Sequence, residues 1–227
     1  MNEPIWLRPE RAGHGPAPEH SRERIAAAGI ALADASGLAA VSMRKVAGEL
    51  GAGTASLYRY VATRDELLDL MVDGVTGELG YPKAVGDDWL ENLLAIGRDL
   101  RALYLRHPWM LEIHPGAAGL GPNGVAYLEQ GLAALSSLDR PAQAKLEAVA
   151  MLSGVVSLFA RDEASTATDG RAATARYLSA VVTPERYPHL AAAFRGATAG
   201  PAPGADELFR RVLGALLVGL LGVHAGE

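Results

Sequence analysis

Within one stretch of seven residues the chain places Thr54, Ser56, Tyr58, Arg59 and Tyr60. These side-chain types suit contact with a polyanion that carries readable edges. A guanidinium forks onto a guanine or clamps a phosphate, and short hydroxyls hydrogen-bond to either. Tyrosine puts a hydroxyl at phosphate reach while its ring lies against a sugar or a thymine methyl. Arg44 and Lys45 precede this group and Arg64 follows it, where cations would meet a nucleic-acid backbone. Taken singly, each charge is equally well a solvated surface residue. Clustered on one short element, they form a candidate reading surface.

The elements that must hold these residues are legible from apolar spacing. Ile25, Ala28, Leu32 and Ala35 recur at three- and four-residue steps behind a capping Ser21, and Gly37 ends the run. A second helix starts after Ser42, with Met43, Val46, Ala47 and Leu50 on one side, and stops at Gly51. A third, predicted over Thr54–Tyr60, would turn Leu57 and Val61 inward and leave Thr54, Ser56, Tyr58, Arg59 and Tyr60 outward or at its margins. Thr63 followed by Glu66 is a capping box that opens a fourth helix, over residues 65–79, with Leu67, Leu70 and Met71 inward. Two short helices joined by a glycine-bearing turn make a helix-turn-helix, whose second helix enters the major groove.

Residues 21–70 closely resemble the DNA-binding head of the tetracycline-repressor (TetR) family. The resemblance lies in RERIAAAGIALADASGLAAVSMRKVAGELG and in TASLYRYVATRDELLDLM. Leu57, Tyr58, Tyr60, Val61, Arg64 and Leu67 occupy the places of that family's Leu-Tyr-x-His/Tyr-Val/Phe motif and the Lys/Arg-x-x-Leu that follows. The resemblance implies that Arg44 contacts DNA from the second helix. It also implies that Thr54, Ser56, Tyr58, Arg59 and Tyr60 face an operator, and that Arg64 anchors a phosphate. A dimer on a palindromic operator, released by a small ligand, is likewise what the resemblance implies.

From residue 81 onward the chain reads as a larger helical body, with helices predicted at roughly 87–106, 122–137, 141–161, 169–180 and 205–223. No strand pattern interrupts it, so the fold class is all-α: a three-helix head, a linking helix and a body for effector binding and dimerisation. Residues 1–20, with four prolines and two glycines, read as a mobile arm, and 191–204 as a loop. The division expected is therefore an arm over 1–20, a head over 21–80 and a body over 81–227.

The segment 89–116 is similar to the ligand-binding half of the tetracycline repressor and its relatives, and His114 falls near a ligand histidine of that group. Ile96 and Leu100 stand where an asparagine and an aromatic would be, and no arginine follows in PGAAGLG, so the similarity does not extend to tetracycline–magnesium. What the residues offer is an apolar pocket lined by Leu93, Ile96, Leu100, Leu103, Trp109, Met110 and Ile113. Its polar points would be Tyr104, His107, His114, Tyr127 and Gln130. Such a lining suits a small, largely apolar effector; the plainer alternative is that these aliphatics fill the core.

Two later helices carry too little polar surface to stand alone. Leu146, Ala150, Gly154 and Leu158 on one, and Leu208, Val212, Leu216, Gly219 and Val223 on the other, would form an isologous four-helix interface with a second copy.

The bulk composition excludes more than it assigns. There is no cysteine, so disulfides and thiolate chemistry are out. The six histidines show no three- or four-residue spacing, and no phosphate loop, HExxH or nucleophile elbow appears. An enzyme, a metal site and a cofactor are therefore not expected. A net charge of −5 speaks against bulk coating of nucleic acid but not against one local basic face. The apolar run 212–223 is well short of the ~20 residues a membrane span needs, and no signal peptide is read at the start, so a cytoplasmic protein without membrane partners is expected. The partners expected are double-stranded DNA, a small-molecule effector and a second copy of the chain. An activator of the same family and a helical scaffold are the alternatives. A scaffold has no need of Arg59 between two tyrosines.

Overall fold

The structure is a computed structural model of the chain and describes residues 3–9, 20–80, 88–113, 119–165, 168–197 and 204–222. Among these it contains ten α-helices and no strand. An N-terminal cluster is built from α1 (Arg22–Ser36), α2 (Met43–Glu49), α3 (Thr54–Leu57) and α4 (Arg64–Thr76). The larger bundle consists of α5 (Trp89–Arg106), α6 (Pro122–Ala134), α7 (Ala142–Ala164), α8 (Thr168–Val181), α9 (Pro188–Ala197) and α10 (Ala205–Leu221).

The head forms where its caps say it should. Ser21 accepts from the Arg24 amide at 3.1 Å and Ser42 from the Lys45 amide at 3.3 Å. Thr63 accepts from the Glu66 amide at 3.1 Å, and the Glu66 carboxylate returns to the Ala62 amide at 2.7 Å, one residue earlier than a standard capping box. Gly51 between α2 and α3 has φ 65°, a left-handed conformation that only glycine adopts without strain. α1 lies across α4, and its buried side is Ile25, Ala26, Gly29 and Ala33. That side is rotated from the expected one, and Ala35 is exposed. The reason is close approach: a Cβ at Gly29 would sit 2.7 Å from Met71 Sδ, so the smallest residues of α1 take the contact.

In the body, α5 is the central element, covered by α6, α7 and α10. It buries Leu93, Leu94, Ile96, Leu100 and Leu103. A Cβ at Gly97 would stand 2.8 Å from Leu213 of α10 and one at Gly131 2.7 Å from Val149 of α7, so these glycines set how closely the helices cross. α9 corrects the expected loop at 191–204 over Pro188–Ala197, with Pro188 opening the helix and Ala191 buried. α7 is long and apolar enough to cross a membrane by length and composition alone, yet only 22% of its most apolar window is buried.

Residues 3–9 also differ from the expected mobile arm. Ile5 is 2% exposed within the head core, and a turn is closed by Leu7 N to Pro4 O at 3.0 Å. The branched apolar side chain anchors what the prolines alone suggested was free.

Head and body meet at α4. Asp73, buried on α4, accepts from the amides of Asn123 and Gly124 at 2.9 and 3.1 Å. A carboxylate from another helix thus caps the start of α6, where Gly121 offers no side chain of its own. Replacing Asp73 with Ala is expected to cost about 1–2 kcal/mol, the range of a lost charged N-cap. The check is the urea midpoint at unchanged m-value; an unmoved midpoint would mean that water caps α6 equally well.

Candidate nucleic-acid interface and effector site

α3 is a single helical turn whose backbone continues as tighter turns to Val61, with Tyr60 N bonding Leu57 O at 2.9 Å and Val61 N bonding the same carbonyl at 3.0 Å. The helix is thus shorter than the predicted Thr54–Tyr60, but its two ends are fixed as expected: Leu57 and Val61 are both fully buried. Between them Tyr58 and Arg59 project to solvent, Tyr58 being 51% exposed. The Arg59 guanidinium accepts orientation from its own helix, donating from Nη2 to Ser56 Oγ at 2.8 Å. Thr54 and Ser56 are half-exposed on the same element, and Arg44 and Lys45 are exposed at the start of α2.

Two of the expected contacts carry additional structural duty. Tyr60 is only partly exposed and packs against the head core. Arg64 turns back on the loop between α1 and α2, donating to the carbonyls of Val41 and Leu38 at 3.3 Å each. The residue as a whole is exposed, with donors enough for a phosphate as well.

Among the described residues, most of the expected effector residues fill the core. Leu93, Ile96, Leu100 and Leu103 are buried in the core, and Met110 and Ile113 pack partly buried against it. Tyr127 is buried and its hydroxyl shares a 2.8 Å hydrogen bond with Ser153 of α7. Burial holds the Tyr104 hydroxyl above its ordinary pKa against the opposing field of Arg161, so at neutral pH it is a neutral donor. Gln130 stands exposed on α6, and His114 lies outside the described residues.

His107 and Trp109 are engaged elsewhere. Asp34 Oδ1, near the end of α1, accepts from Trp109 Nε1 at 2.7 Å and bonds His107 Nδ1 at 2.8 Å, while His107 Nε2 lies 3.2 Å from Glu78. These two residues, expected as a polar point and a wall of the pocket, therefore join body to head. Sequence reasoning missed Asp34 and Glu78 because a carboxylate on an exposed helix end gives no local sign of a distant imidazole.

A groove with a volume of about 580 Å³ lies between α5, the end of α7 and the start of α10. Leu94, Ala102, Leu105 and Phe209 line it beside Arg98, and Arg101 crosses it to Glu163 at 2.8 Å and Asp206 at 2.6 Å. It uses the opposite side of α5 from the predicted pocket.

The proposed contact residues between copies are uncovered in the single chain. On α7, Leu146, Ala150, Gly154 and Leu158 are exposed, Leu158 at 65%. On α10, Val212 and Gly219 are exposed and Leu208 and Leu216 half-exposed; Val223 lies outside the described residues. Among the described residues no group of three His, Cys, Asp or Glu is placed to hold a metal ion.

Residues 25–71 match the family described as bacterial regulatory proteins, tetR family, and residues 81–223 match the tetracyclin repressor-like C-terminal domain. The chain is 39% identical over 160 residues to the HTH-type transcriptional repressor DrrR1 of Streptomyces coeruleorubidus, a match covering 70% of this chain and 59% of that protein. It is 35% identical over 210 residues to an HTH-type transcriptional regulator of Saccharopolyspora erythraea, covering 89% and 84%. Among solved structures, apo ActR of Streptomyces coelicolor superposes with a TM-score of 0.78 at 31% identity, over 92% of this chain and 97% of that one. ActR in complex with actinorhodin gives 0.75 at 32% identity, over 92% and 99%.

Proposed function

This chain belongs to the TetR family of bacterial DNA-binding transcriptional regulators, and from that premise we propose that it is a repressor. As a homodimer it binds a palindromic operator and is released by a small, largely apolar effector. The observation that carries the reading is α3, where buried Leu57 and Val61 hold Tyr58 and Arg59 outward on a rigid turn. A buried frame with an exposed arginine–aromatic pair is what base reading requires and what a scaffold does not.

Repression rather than activation is supported by the repressor DrrR1 among the relatives. The effector is supported by ActR, which has been solved with actinorhodin and with (S)-DNPA. In this chain the apolar residues between α5, α6 and α7, with the neutral Tyr104 hydroxyl among them, are where such a molecule would enter. Entry there requires the core around Leu93, Ile96 and Leu100 to open, so the effector acts by favouring a minor, opened state. It can shift the equilibrium only by its differential affinity for that state.

Selection of bound sequences from a random double-stranded pool, at physiological salt, tests the reading. Enrichment of a two-fold symmetric site is expected, with half-site centres about one helical turn apart or slightly more. Enrichment of an asymmetric site would remove the homodimer from the proposal, and no enrichment by a folded dimer would remove operator reading itself.

A further inference from the structure

The segment before α1 is fastened both to the DNA-reading turn and to the corner where α4 meets the start of α6. Arg22, the first residue of α1, donates from Nη1 to the carbonyls of Ile5 and Arg8 at 2.8 and 2.9 Å, and from Nε to the carbonyl of Tyr60 at 3.3 Å. One guanidinium therefore binds this segment to the last residue of the DNA-reading turn. Arg8 adds an ion pair with Glu66 at 2.6 Å, and Glu66 is the carboxylate that accepts from the Ala62 amide just beyond that turn.

The neighbouring side chain reaches the other way. Ile5 sits in the head core, whereas the Trp6 ring lies over Gly121, so close that a Cβ there would come within 2.6 Å of Cζ2 and collide with the Asp73 carboxylate. Gly121 precedes α6, whose first amides Asp73 caps, and Asp69 one turn earlier on α4 accepts from Gly119 N at 2.5 Å. Indole, carboxylate and glycine thus occupy one packed corner, and the start of α6 cannot shift without moving Trp6.

We propose that residues 5–8 are a strap that positions the end of the recognition turn, at Tyr60 and at the Ala62 amide beyond it, according to the position of the α6 N-terminus at Gly121–Gly124. Arg22 and Trp6 are its two positioning residues, and it acts in parallel with α4. Its consequence for operator affinity rests on the reading of α3 given above; the mechanical link does not. Close packing makes the link effective, because a displaced ring transmits its displacement instead of absorbing it.

The test is amide hydrogen exchange on the full chain without DNA, comparing the parent with Trp6→Ala and, separately, Arg22→Lys. A lysine keeps the charge of Arg22 but cannot hold three carbonyls in the same fork. The strap requires each substitution to act at the far end: Trp6→Ala should speed exchange of the Leu57–Val61 amides, and Arg22→Lys that of the Asn123–Val125 amides, each by about five-fold. Amides of α5 and α10 should be unchanged. Acceleration confined to the substituted end, or spread evenly into α5 and α10, overturns the proposal. Binding of the same proteins to the selected operator is read separately by fluorescence anisotropy. Loss of operator binding by the parent with the crossed exchange effects intact rejects the repressor and keeps the strap; the reverse pattern rejects the strap alone.

Discussion

Replacing Arg59 with Ala is expected to weaken operator binding by about 10- to 100-fold, the ~1–3 kcal/mol that a well-placed base contact contributes, while folding and dimerisation stay as they were. Both halves follow from the structure. The side chain is exposed and, among the described residues, bonds Ser56 Oγ on the same turn, so its truncation strips no buried group of that partner. The Ser56 hydroxyl holds the guanidinium in place before DNA arrives, which lowers the ordering cost of binding. Ser56→Ala should therefore reproduce a minor part of the loss. The pattern across sequences identifies the contact. A fork onto guanine relaxes preference at one base pair of each half-site; a phosphate clamp weakens all sequences alike and lowers the salt slope by about one. Unchanged affinity for the selected operator would remove Arg59 from the reading surface.

Tyr58 and Tyr60 separate in the same experiment. Tyr58, 51% exposed, can be truncated at the expense of binding alone. Tyr60 packs against the head core and its carbonyl receives Arg22. Sequence spacing placed the two tyrosines together as surface contacts, because a half-buried aromatic at the end of a short helix looks the same in one dimension as an exposed one.

The head was largely readable from the chain because its determinants are local. Caps at Ser21, Ser42 and Thr63, stops at Gly37 and Gly51, and the inward pair Leu57 and Val61 all act within four residues of the feature they define. The body was readable in its helices but not in its contacts. His107 and Trp109 look like ligand-pocket residues beside Met110 and Ile113, yet one carboxylate of α1 takes them both. Asp73 looks like a solvated position on α4 and instead caps a helix fifty residues away. Neither partner can be inferred without knowing how α1, α4 and α5 cross. The same holds for the first residues: prolines and glycines signalled a loose arm, while Ile5 is buried and its carbonyl is held by Arg22 of α1.

The longest-range expectation is the contact between copies, and its test carries the larger effect. Placing a glutamate at both Leu158 and Val212 is expected to give a folded monomer whose affinity for the full palindrome falls by well over about 100-fold, because the second half-site no longer benefits from tethering to the first. The monomer should fold because these side chains do not hold it together, being 65% and 39% exposed in the single chain. Two carboxylates per subunit would instead face their symmetry mates across an isologous interface, where charge is desolvated beside like charge. An interface here would cover what α7 leaves uncovered. Its most apolar window has a mean hydropathy of 1.3 and is 22% buried, whereas a lone soluble helix of that composition would turn most of this surface inward. The small residues Ala150, Gly154 and Gly219 on the same faces, all exposed, allow two such helix pairs to approach closely. Light scattering gives the mass and anisotropy the affinity. A variant that stays dimeric would move the interface off α7 and α10, and a monomer that binds the palindrome as tightly as the parent would show that operator reading needs one head, not two.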